Sequence, residues 1–124
     1  MAGEVEIINC KNGGILICHV QTGRYLTLQY NHLDHSHIVT FADVGAIAWK
    51  MAEFELFRPN NKNEFDNCFF IRSMATGFYL RIKDGQHEAI KIQVPSDCFA
   101  DVKQQTKASL FYFEPRFVKS IKLL

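Results

Sequence analysis

By length the 124-residue chain, with a formal net charge of +1, is one folding unit, large enough for a real core and too small for two. Hydrophobic residues at 48% against 22% charged exclude a disordered chain, and the near balance of charge gives no electrostatic sign of a nucleic-acid or membrane partner. No apolar run approaches the roughly 20 residues of a bilayer-spanning helix.

The opening "MAGEVEIINC" has acidic residues where a secretory leader needs a basic and then an apolar stretch, and the expected location is cytoplasmic unless the chain leaves by an unconventional route. Gly3 is not at the second position, so the myristoylation pattern is missing. "EVEIIN" at 4–9 reads as a strand and "NGG" at 12–14 as a turn. "GILICHV" is a short apolar run that leads through a Thr-Gly turn into "RYLTLQ". Period-two alternation there sends Leu26 and Leu28 to one side and Tyr25 and Thr27 to the other. Gly23 sits where a tight hairpin needs tolerance of positive φ. "HIVTFA" reads as a third strand. "DVGAIAWKMAE" at 43–53 predicts a helical turn capped by Asp43, or else a loop whose Trp49 plugs one end of the core. "FELFRP" closes the unit as an aromatic strand ending at Pro59.

The same words then return. "CFFIRSM", a Thr-Gly turn and "FYLRIK" repeat the opening hairpin, with Gly77 in place of Gly23 and Leu80 and Ile82 directed inward. "AIKIQV" reads as the third strand and "LFYFEP", ending at Pro115, as the fourth. Three landmarks keep their order: the Thr-Gly-x-Tyr-Leu hairpin at an offset of 54, "FADV" at 58 and the aromatic-Pro strand at 56. The units run over about 14–59 and 68–115, and pieces at 4–10 and 117–124 make a partial third unit within one domain spanning 1–124. The count is about ten strands.

These elements resemble the β-trefoil superfamily: the opening strand, the "TG-x-Y-L" hairpin and the "FEL-x-x-P" closing strand resemble the repeats of fascins and hisactophilin. A looser likeness links "INCKNGGILI" and "DNCFFI" to fibroblast growth factors and interleukin-1-type cytokines. The resemblance implies an all-β, trefoil-like barrel of about ten to twelve short strands with one repeat incomplete. A piece of the chain such as "DVGAIAWKMAE" could fill the gap, or a second subunit could, and the second case would make a homodimer. The fold hosts binding proteins of many kinds, so it lowers the prior for an enzyme without choosing a partner.

Candidate sites are few. "NHLDHSH" gathers His32, Asp34, His35 and His37, side chains able to bind a borderline metal. A structural zinc site needs four ligands and no partner pair has matching spacing, so the plainer reading is a solvated, pH-responsive loop with no metal. Arg72, Arg81, Lys83 and Lys91 come from successive strands of the second unit and could receive a phosphate, a sulfated sugar or an acidic protein surface. Asp84, Glu88 and Asp97 interrupt that patch, and charged outward positions are common on strands. The four cysteines lack CxxC spacing and read as buried thiols. Cys18 and His19, neighbours on a strand, point to opposite faces and cannot form a dyad. No phosphate loop, dinucleotide fingerprint or hydrolase motif occurs, and no cofactor is called for.

The sequence therefore predicts a non-catalytic protein-binding or scaffold module, with actin as the best named partner. The alternatives are a leaderless cytokine-like or growth-factor-like ligand and a lectin-like protein using Trp49. No nucleic acid and no membrane span are expected.

Overall fold

The computed structural model describes residues 4–33, 35–59, 67–82, 90–91, 98–102, 104–113 and 118–122. Lys83 and Asp34 lie outside them. The described residues are all-β apart from short 3-10 turns. The strands are β1 (Val5–Asn9), β2 (Ile15–His19), β3 (Arg24–Asn31), β4 (Ser36–Ala42), β5 (Phe54–Phe57), β6 (Cys68–Ser73), β7 (Tyr79–Ile82), β8 (Ile90–Lys91), β9 (Cys98–Val102), β10 (Phe111–Tyr112) and β11 (Val118–Lys122). No described helix is long and apolar enough to cross a membrane.

Pairing runs in a circuit: β2 to β3, β4, β9, β7, β6, β5 and back to β2. Three joints in it are single bridges, Ile15 with Phe54, Ile38 with Phe99 and Arg72 with Tyr79, so the sheet is barrel-like and nearly closed. β1 adds to β2 antiparallel and β11 to β1 in parallel, while β10 joins β6 and carries β8 in parallel.

One interior receives the apolar side chains of both units. Ile17 and Ile71, Leu26 and Leu80, and Phe54 and Phe111 are all buried in a single cluster with Val5, Ile15, Leu28, Val39, Phe41, Ala100 and Phe113. The two turns also match atom for atom. The Gly23 N–H donates to the His19 carbonyl and the Gly77 N–H to the Ser73 carbonyl, both at 2.8 Å. Thr22 Oγ1 accepts from the Arg24 N–H at 3.4 Å, as Thr76 Oγ1 does from the Phe78 N–H at 3.2 Å. Gly23 at φ +70° and Gly77 at φ +74° are left-handed, a conformation that costs a residue with a Cβ about 1–2 kcal/mol. Thr-Gly-x-Tyr-Leu recurs because this turn needs a hydroxyl acceptor, a left-handed residue and an inward leucine in that order.

The structure differs from the sequence reading at three points. The third strand of the second unit is β9, paired with β7 through Leu80–Ala100 and Arg81–Phe99, and it contains the "FADV" echo. "AIKIQV" contributes only β8, which pairs with β10. Thr27 is buried with its leucine neighbours because the 3-10 turn Trp49–Ala52 packs over the outer face of β3; its hydroxyl donates to the Leu28 carbonyl at 3.4 Å. Asp43 precedes a 3-10 turn, Val44–Ala46, but makes no side-chain cap. Its carboxylate instead accepts from Arg24 Nε at 3.2 Å, an exposed pair of small energetic weight.

Ile17→Ala and Ile71→Ala should each cost about 2–5 kcal/mol in urea unfolding, as expected for a fully buried isoleucine in a shared core. Gly23→Ala and Gly77→Ala should each cost about 1–2 kcal/mol, since both turns use the same left-handed backbone. A cost confined to one unit would mean that the two halves are held differently.

Candidate functional site

The β3–β4 hairpin ends in an aromatic and imidazole cluster. Antiparallel register sets Tyr30 opposite His37 and Asn31 opposite Ser36. The ring of Tyr30 meets His32 edge-on at 4.8 Å and His37 at 5.3 Å between centroids, and its hydroxyl lies 3.0 Å from His35 Nδ1. His35 holds a left-handed backbone at φ +57°, and the Asn31 side-chain oxygen accepts from the Leu33 N–H at 3.0 Å. These contacts brace the described residues at the end of the hairpin, where Leu33 is 94% exposed and Tyr30 45%. His37 also reaches Phe78 at 6.1 Å, tying the tip to the second unit.

The histidine segment thus comes together around Tyr30, a residue the sequence reading passed over. The register was recoverable, because a hairpin turning at Leu33 puts Tyr30 across from His37. The imidazoles surround a ring and not an empty point: among the described residues no group of three or more His, Cys, Asp or Glu side chains could hold a metal.

The basic patch is assembled in part. Arg72 on β6 pairs with Tyr79 on β7, and Arg81 follows two residues later on the same strand face. Arg72 is tethered: its Nη1 lies 3.5 Å from Glu55 Oε2, its Nε donates to the Gly77 carbonyl at 3.4 Å, and its guanidinium sits 6.0 Å from the Tyr79 ring. Arg81 also has a partner. Lys91 belongs to β8, which is separated from β6 by β10, so its backbone is not beside β7.

The matching row in the first unit carries different chemistry. Register aligns Glu6, Cys18 and Tyr25 as it aligns Glu55, Arg72 and Tyr79. Cys18 and Tyr25 share a hydrogen bond. Burial pushes the Cys18 thiol up, the bond from Tyr25 pulls it back in part, and the Glu6 carboxylate adds to the rise. Tyr25 is raised by burial and by Cys18. Cys18 and His19 are both buried; His19 Nδ1 meets Thr22 Oγ1 at 2.9 Å and its ring tilts against Phe41 at 5.6 Å. Cys10, Cys18 and Cys68 are free thiols.

Trp49 stands on the outside of this row. It packs edge-on against Tyr25 at 5.1 Å, 43% exposed, and so it is not a plug in the core. It borders an open cleft of about 410 Å³ with Cys10, Lys11, Asn12, Leu16 and Glu53. Asn12 Nδ2 donates to Glu53 Oε2 at 3.1 Å, and Asn12 Oδ1 accepts from the Gly14 N–H at 3.4 Å. Burial first, and Glu53 second, raise the Cys10 thiol. No local signal marks Asn12 and Glu53 as neighbours; 41 residues separate them, and the fold brings the β1–β2 turn beside the lead-in to β5.

Comparison with known proteins finds no matching family model, no matching characterised protein and no matching solved structure.

Groups raised in the folded chain favour folding while protonated, and that contribution fades as pH climbs through their folded values. Stability should accordingly fall from about pH 8.5 upward, where Cys10 and Cys18 and then Tyr25 begin to ionise in the unfolded chain. Urea midpoints measured from pH 7 to pH 11 should show this slope, and Cys18→Ala should flatten it.

Proposed function

We propose that this protein is a non-catalytic, β-trefoil-like binding or scaffold module that engages another protein, with the actin cytoskeleton the partner to test first and the cytoplasm its compartment. The trefoil reading draws support from the pairing of β5 with both its own opening strand, β2, and that of the next unit, β6. The duplicated hairpins supply a second support. Actin enters through the resemblance of the repeats to those of fascins and hisactophilin, and Arg72 with Arg81 would supply positive charge on the same molecule.

The observation that carries the reading is the set of described residues at the end of the β3–β4 hairpin. A leucine held almost wholly in solvent, beside a half-exposed tyrosine and three imidazoles, contributes nothing to the core. Such an arrangement suits a protein interface, where tyrosine is among the residues that carry most of the binding energy and an exposed leucine gains about 1.5–3 kcal/mol by full burial. Bracing by the Asn31 and His35 bonds lowers the ordering cost at the moment of association.

The test is co-sedimentation with filamentous actin beside a pull-down from native cytosol, using wild type, Leu33→Asp and Arg81→Glu, with near-ultraviolet circular dichroism as the folding control. Leu33→Asp should weaken capture about tenfold or more while leaving the spectrum unchanged. Capture of the same partner by Leu33→Asp at full strength would remove the tip from the interface, and sedimentation without actin dependence would remove actin as the partner.

A further inference from the structure

We infer that the cleft beside Trp49 is a binding site for a small neutral saccharide, separate from the protein-binding tip. Three features of the cleft point to that class of ligand. Its volume, about 410 Å³, falls within the usual range of small-molecule sites, roughly 300–1,000 Å³. Its apolar wall joins Leu16 to the half-exposed indole of Trp49, a surface that matches the C–H faces of a sugar ring. Its polar wall is the bonded pair Asn12 and Glu53.

That pair has the donor and acceptor pattern a diol needs. One amide hydrogen and one carboxylate oxygen are used between the two side chains, and the bond from Gly14 to Asn12 Oδ1 fixes which way the amide faces. The remaining carboxylate oxygen accepts and the remaining amide hydrogen donates, so adjacent hydroxyls can each be satisfied. Charge argues against the main competitors. Lys11 and Glu53 offset one another at the rim, which gives a phosphate or nucleotide no net attraction. Holding the site together is the fold itself: Tyr25 fixes Trp49 edge-on, and Glu53 immediately precedes the buried start of β5 at Phe54.

Trp49 is the sole tryptophan in the chain, so its emission reports on this cleft alone. The experiment titrates the full chain with glucose, galactose, mannose, N-acetylglucosamine and their common disaccharides to about 10 mM, the weak end of specific affinity. It reads Trp49 emission and acrylamide quenching. One or more of these sugars should shift the emission to the blue with saturation and protect the indole from quencher. Asn12→Ala and Glu53→Gln should each raise the Kd about tenfold, the loss expected of one buried hydrogen bond. Both positions are on the surface rim, and an unchanged near-ultraviolet spectrum certifies the fold. An emission unmoved by the whole panel overturns the inference, as does a shift that does not saturate or that both variants leave intact. None of these outcomes bears on capture through Leu33, because the tip and the cleft share no residue.

Discussion

Phe54 is where the barrel is joined. Its ring is wholly buried and its backbone pairs on one side with Ile15 of β2 and on the other with Ser73 of β6. Burying such a ring is worth only about 1.5–3 kcal/mol, a modest sum. Closure matters more than that figure, because without β5 the Ile15 end of β2 and the Phe70–Ser73 side of β6 would be left unpaired. The same strand sets the position of what precedes it. With Phe54 fixed, Glu53 is placed to bond Asn12 and its carbonyl to take the Met74 N–H at 3.1 Å. The turn Trp49–Ala52 is then drawn across β3 with Ala52 inside and Trp49 outside. The cleft and the covered face of Thr27 both follow from that one junction.

A duplicated interior leaves the exterior free to diverge. Val20 and Met74 donate to the Glu4 and Glu53 carbonyls at 3.0 and 3.1 Å, so the two hairpins are anchored alike. On that common frame one unit sets Glu6, Cys18 and Tyr25 in a row and the other sets Glu55, Arg72 and Tyr79. The glutamate and tyrosine are kept, and the middle position decides the character. A cysteine there gives a protonated, covered row that Trp49 can lie against; an arginine gives a half-exposed ion pair that no neutral cover could accept. The interior exerts no pull on this choice, since the row faces away from Ile17 and Ile71.

What could be read from the sequence follows the same division. The hairpins were legible because Gly23, Gly77, Leu26 and Leu80 answer to local rules of turn geometry and alternation. In the second unit "AIKIQV" alternates and does contribute β8, but the strand beside β7 is Cys98–Val102, a long-range pairing that local pattern does not encode. Thr27 fails for a related reason: a period-two rule knows one covered face, and here Trp49–Ala52 covers the second. The histidine segment was visible as composition, but its organisation depends on Tyr30, through a register of seven residue pairs that ends at Asn31 and Ser36. The cleft was the least accessible feature, because Asn12 and Glu53 meet only after closure.

The hairpin β3–β4 also runs past the core it belongs to. Leu28 and Val39 form its last buried pair, and three further pairs follow, Gln29 with Ile38, Tyr30 with His37 and Asn31 with Ser36. At about 3.3 Å per residue that is some 10 Å of ribbon beyond the hydrophobic cluster. A two-stranded ribbon is marginal by itself in water, so this extension needs support of another kind. Tyr30 supplies it, through edge contacts to His32 and His37 and the bond to His35, while Ile38 bridges to β9 and His37 leans on Phe78. These interactions hold in place a tip, Tyr30 to His37, that adds no described side chain to the buried cluster. Order maintained where the core gains nothing is better explained by what the tip presents to solvent, and what it presents is Leu33.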